Sequence, residues 1–113
     1  MPRVMDVDSV QVAPFKINGV SFVAVCAIGR VPTTGWSAFE LDQYFYLVPP
    51  RDGIMDFDFD GKAPTGPAGD VVLPALACGI FRMPGWLKGV RVHALNNSKE
   101  VAIGKEVPLR EAA

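Results

Sequence analysis

The sharpest pattern along the chain is Ile54-Met55-Asp56-Phe57-Asp58-Phe59-Asp60, where apolar and acidic residues alternate without a break. A period of two sends successive side chains to opposite faces of a strand. Met55, Phe57 and Phe59 therefore share one face and the three aspartates the other, as in a half-buried strand. Pro49-Pro50-Arg51-Asp52-Gly53 ahead of it has turn composition, so Tyr44 to Val48 reads as its antiparallel partner. Val20 to Ile28 is apolar at nearly every position, which suits a central strand covered on both sides. Val90 to Ala94 alternates again, and Asn96-Asn97-Ser98 returns the chain towards Glu100 to Ile103 as a hairpin. Val7 to Val12, Trp36 to Leu41 and Val71 to Ala77 read as weaker strands. Pro74 lacks the N–H a ladder needs, which puts the last of these at an edge or a bulge.

Ten prolines and eleven glycines separate these runs, leaving few windows long enough for a helix. Turn signals at short intervals between short apolar runs predict an all-β domain of about seven or eight strands. The expected architecture is a single antiparallel β-sandwich over residues 1–113, immunoglobulin-like in outline, with a partly closed barrel as runner-up. At 113 residues the chain can bury a core that needs neither metal nor disulfide.

Charge narrows the classes of partner. Net charge is −1, with both signs mixed along the chain. No basic cluster supplies the footprint that a phosphate backbone requires, so nucleic acid is not an expected partner. No apolar run approaches the roughly 20 residues that span a bilayer, and the first residues hold no signal-like apolar stretch. A cytoplasmic location is the resulting expectation. In that compartment Cys26 and Cys78 read as small buried thiols, although a bridge between them is geometrically open in a sandwich.

Asp56-Phe57-Asp58-Phe59-Asp60-Gly61 matches the opening of an EF-hand loop, but the acid required at position twelve falls on Pro67. The row reads instead as a solvated carboxylate face, with Arg91 or Lys88 on a neighbouring strand to offset its charge. A calcium site built from Asp58, Asp60 and Asp70 is the minor alternative; no metal or cofactor is otherwise expected. His93 has no nucleophile or carboxylate nominated beside it, and Ser9, Ser21, Ser37 and Ser98 lack a nucleophile-elbow setting. A Cys78/His93 pair would make a minimal catalytic dyad. No glycine-rich phosphate loop occurs.

Three compact loops stand out: Pro32-Thr33-Thr34-Gly35-Trp36, Gly66-Pro67-Ala68-Gly69 and Arg82-Met83-Pro84-Gly85-Trp86. Tryptophan and arginine on rigid loops are common recognition residues, which nominates Thr33, Thr34, Gly35, Trp36, Arg82 and Trp86 as a binding surface. The plainer alternative has both tryptophans packing into the core. In order, the loops resemble those of chagasin-type inhibitors of papain-like cysteine proteases, above all in the Pro-Thr-Thr-Gly-aromatic segment. That resemblance implies an immunoglobulin-like sandwich inserting three loops from one end into a protease cleft. Val31 replaces the family's asparagine, the second loop lacks consecutive glycines, and Met83 and Gly85 interrupt the Arg-Pro-aromatic motif. The order Cys26, Trp36, Cys78 is also similar to immunoglobulin domains, with Leu76 where their corner tyrosine stands.

The leading expectation is a non-enzymatic protein-binding domain using loops at one end. Cysteine-protease inhibition is the alternative, and a small hydrolase using Cys78 and His93 the third reading. An exposed strand edge would also allow a homodimer.

Overall fold

A computed structural model describes residues 1–104 and the backbone of residues 107 and 108. The described residues form strands and loops, with no helix. In chain order the strands are β1 (Asp6–Ile17), β2 (Val20–Val31), β3 (Ser37–Gln43), β4 (Ile54–Lys62), β5 (Leu73–Arg82), β6 (Gly89–His93), β7 (Ser98–Ala102) and the short β8 (Val107–Pro108). They form two four-stranded sheets, ordered β5-β2-β1-β8 and β3-β4-β6-β7. The all-β sandwich expected from the pattern is the observed fold, and it is not a closed barrel, but it is not wholly antiparallel: β4 pairs with β6, and β1 with β8, in parallel.

The β1–β2 hairpin follows directly from its turn. Asn18 and Gly19 both adopt positive φ, 50° and 78°, and join Ile17 to its ladder partner Val20. That pair of left-handed residues gives the turn the twist of its strands. Between the sheets, Val23, Val25 and Ala27 of β2 meet Met55, Phe57 and Phe59 of β4, with Val90 and Val92 of β6 beside them. Each fully buried phenylalanine contributes about 2–3 kcal/mol of transfer free energy.

The N-terminal residues bind both sheets together. Val4 N–H donates to the Phe59 carbonyl at 2.8 Å, and Met5 N–H to the Arg30 carbonyl at 3.0 Å. This arm occupies the flank of β4 that the shorter β6 leaves open, pairing Arg3 with Asp60. Asn97 secures the β6–β7 turn to β1, accepting from Val7 N–H at 2.8 Å and donating to the Val7 carbonyl at 2.7 Å.

Three expectations need correction. Tyr44 to Val48 is not a strand; β3 itself pairs with β4, placing Leu41 opposite Phe59 and Gln43 opposite Phe57. The chain leaves the ladder after Tyr44 N–H donates to the Asp56 carbonyl, because the Tyr44 and Tyr46 hydroxyls turn onto Asp58 and Asp56. Pro49 and Pro50 then remove the donors a longer ladder would need. Second, β2 is central in its sheet but covered on one face only, leaving Ile28 exposed. Leu76 and Ile80 of β5 continue this uncovered aliphatic face.

Third, Cys26 and Cys78 are not buried thiols. They stand directly opposite on β2 and β5, Cα atoms 4.1 Å apart, and form a disulfide. Because Val25 and Ala27 point inwards, Cys26 must point outwards. The bridge links neighbouring strands of one sheet, unlike the bond between sheets in antibody domains.

Candidate functional site

Strand direction decides which loops can meet. β2 runs to the end where residues 32–36 lie; β3 leaves that end, β4 returns to it, and β5 leaves again. Thr33, Thr34, Gly35 and Trp36 therefore share the first end with residues 63–72. Arg82 and Trp86 lie at the opposite end, so the six nominated residues form no single surface.

At the first end the nominated side chains hold the loops together. Thr34 N–H donates to the Gly69 carbonyl at 3.1 Å, and its hydroxyl accepts from Gly69 N–H at 2.9 Å. The Thr33 hydroxyl donates to the Thr34 carbonyl at 3.0 Å. Gly35 has φ +86°, and a Cβ there would stand 2.9 Å from the Pro64 side chain, so glycine is required. Trp36 is half-buried against Gly61, where a Cβ would lie 3.0 Å from its ring. Trp36, Pro32, Met5 and Leu95 line an apolar cavity of about 470 Å³.

At the second end a cleft of about 660 Å³ is lined by Tyr46, Met55, Arg82, Met83 and Trp86. Trp86 stands edge-on to Tyr46, with centroids 5.8 Å apart. Arg82 is the one charged residue on the lining, and its guanidinium lies 5.9 Å from the Phe22 ring centroid. Across the cleft the β3–β4 loop exposes Phe45, Leu47 and Val48 at 85%, 89% and 73%. The Tyr44 and Tyr46 hydroxyls turn onto Asp58 and Asp56, which leaves Phe45 between them and Leu47 after them exposed.

The outer face of the second sheet carries a polar network centred on Asp56. Its carboxylate contacts His93 Nε2 at 2.7 Å and Arg91 Nη1 at 3.1 Å, and accepts from the Tyr46 hydroxyl at 2.8 Å. Burial pushes the Asp56 carboxyl up, but bonds from His93 and Tyr46 and the Arg91 charge outweigh it, leaving the group below its usual value. Burial, followed by the bond to Asp56, pushes the Tyr46 phenol up to about 12. Arg91 also reaches Glu100 at 2.8 Å and Asp52 at 3.4 Å, so it supplies the counter-charge expected for the aspartate row. Lys88 packs on Gly53 instead.

His93 stacks on Tyr44, with centroids 5.6 Å apart, and among the described residues its hydrogen-bond partner is Asp56. The Cys78/His93 dyad does not form. Cys78 is bridged on the outer face of the first sheet, and His93 lies on the outer face of the second.

A second acidic group lies on the β3–β4 flank, where one oxygen from each of Glu40, Asp42 and Asp60 falls within 4.8 Å of the others. Asp70 is not part of it, and Asp58 is engaged by Arg3 at 2.8 Å. The sequence reading missed the Glu40 and Asp42 contribution, which depends on β3 being the partner of β4. It also missed the exposed loop, whose apolar residues have strand composition.

No family model, curated protein or solved structure matches the chain.

Proposed function

We propose that this domain is a binding module, and that it recognises an extended, apolar, acid-bearing segment of another protein in the cleft beside the β3–β4 loop. One observation carries the reading: Phe45, Leu47 and Val48 are exposed together on one loop and line the same cleft as Tyr46, Met83 and Trp86. Contiguous exposed apolar surface of this kind marks interaction sites. Arg82, alone in charge on that wall, selects a carboxylate on the partner. Tryptophan and arginine in a concave setting are also the residue types that dominate binding energy. The cross-strand disulfide fits an oxidising compartment better than the cytoplasm.

Random-peptide display against the immobilised domain tests the proposal. Enriched peptides should combine aromatic or aliphatic residues with an acid. Their binding should drop at least tenfold for Phe45→Ser, Leu47→Ser and Arg82→Glu, yet persist for Leu95→Ser at the other end. No enrichment, or peptides indifferent to all three cleft variants, would refute it. Self-association through β5 is a second reading, favoured by its edge position and the exposed Leu76 and Ile80. Sedimentation velocity separates the two: dimerisation sensitive to Ile80→Lys belongs to β5, not to the cleft.

A further inference from the structure

Strand β5 is fastened unequally along its length. It is an edge strand, and among the described residues β2 is its one ladder partner. Alternation turns Leu73, Ala75, Ala77, Gly79 and Phe81 inwards. Leu73 is 37% exposed, while Ala75 and Ala77 bury one methyl each. Gly79 has no side chain to bury, and the Phe81 ring takes up its space: a Cβ there would stand 2.6 Å from Phe81 Cζ. Phe81 is thus the one large inward anchor, its centroid 4.6 Å from that of Phe57. Just beyond it, Met83 N–H donates to the Ser21 carbonyl at 3.0 Å.

Residues 73–79 have no comparable hold. A buried methyl stabilises far less than a buried phenylalanine. A ladder hydrogen bond adds little net, because water replaces it when a strand lifts. Pro74 has no N–H to give, and the approach to β5, residues 65–72, is exposed throughout. The strong fastening of this stretch is covalent, at Cys78 to Cys26.

That bond is open to chemistry. Cys78 is exposed on the edge strand, whereas Cys26 on central β2 is half-buried. Access to a sulfur governs which one a thiolate attacks, and exposed bridges are the labile ones.

We propose that the Cys26–Cys78 bond is a redox latch: a dithiol reductant attacks it at Cys78 and frees residues 73–79 of β5 from β2, while Phe81 holds the far end of the strand on the core. In the first step a thiolate of the reductant bonds to Cys78 Sγ and the bond to Cys26 breaks. The leaving electron pair makes Cys26 a thiolate, which takes a proton. The second thiolate of the reductant then bonds to its own first sulfur, and Cys78 leaves and is protonated. The protein gains two electrons and two protons, and the reductant ends as a disulfide. Release bares the ladder edge of β2 from Val25 to Val31, the partners of residues 73–79. It stops short of Phe81, so the latch does not depend on what the cleft binds.

Hydrogen exchange at neutral pH, on the native protein with and without dithiothreitol, tests the latch. After reduction, peptides from residues 73–79 should exchange within roughly tenfold of unstructured chain, while those holding Phe57, Phe59 and Val92 stay roughly a hundredfold slower or more. In the oxidised protein residues 73–79 should be protected. Cys26→Ala/Cys78→Ala should match the reduced protein and be indifferent to dithiothreitol. Brief reaction with a monothiol, quenched with iodoacetamide, should leave the adduct on Cys78 and the carbamidomethyl group on Cys26. Protection of residues 73–79 that survives reduction or the double substitution would overturn the proposal. So would core peptides that exchange as fast as residues 73–79, since the bridge would then hold the whole sandwich, and so would an adduct found on Cys26.

Discussion

His93 Nε2 lies 2.7 Å from Asp56 Oδ1 while the His93 ring rests on Tyr44, so two parallel-paired strands and the β3–β4 loop converge on one carboxylate. Removing that carboxylate should release His93, Arg91 and Tyr46 together. Asp56→Asn is expected to cost about 1–3 kcal/mol in urea unfolding at neutral pH. Because the Asp56 carboxyl sits below its usual 3.8 in the folded state, its stabilisation is present above pH 3.8 and is lost as pH falls through the lower folded value. The gap between wild type and Asp56→Asn should therefore narrow in acid. A gap that is constant with pH would contradict this account.

Tyr46 offers an optical check of the same network. Its phenol ionises near 12 against an ordinary 10.0, so the folded state favours the protonated form. The associated stability is complete below pH 10 and is lost as pH rises from there towards 12. Alkaline absorbance titration of wild type and Tyr46→Phe should show one of two late-titrating phenols vanish in the variant, since burial and the bond to Asp58 raise Tyr44 as well. An early titration of Tyr46 would mean that its hydroxyl is not held on Asp56.

The disulfide closes a separation of 52 residues that includes β3 and β4. Chain entropy sets its contribution at about 4 kcal/mol, an upper figure for a native bridge. Air-oxidised protein unfolded in guanidinium should show no reactive thiol before reduction and two after it. Dithiothreitol should lower the Tm markedly, and Cys26→Ala/Cys78→Ala should match the reduced protein.

Thr34→Val removes the hydroxyl that accepts from Gly69 N–H but keeps the side-chain shape. Loss of this one exposed hydrogen bond should cost about 0.5–1 kcal/mol. Hydrogen exchange should speed at Gly69 while remaining unchanged at the cleft. Faster exchange at both ends would show that the loops are coupled through the body of the sandwich.

How much of this was legible beforehand turned on which faces were covered. The Met55/Phe57/Phe59 strand was plain because one face is buried and the other carries charge. β2 was harder, since an apolar face looks the same in sequence whether a second layer covers it or solvent does. The site depended on a parity. Three strands separate Trp36 from Arg82, and an odd number of crossings delivers the chain to the far end. Counting Tyr44 to Val48 as a strand makes four and brings both loops to one end. That segment was misread because its tyrosines are held by Asp56 and Asp58, contacts that no local pattern reveals.

The two outer walls of the sandwich differ in kind. One carries the tyrosines, histidine and arginine around Asp56; the other shows Ile28, Leu76, Ile80 and the disulfide, with the Arg30–Asp8 pair towards one end. Such a body is not indifferent to orientation. Away from the cleft, a neighbour would therefore meet aliphatic side chains and a covalent bridge on the β5–β2 wall, and carboxylates on the wall opposite.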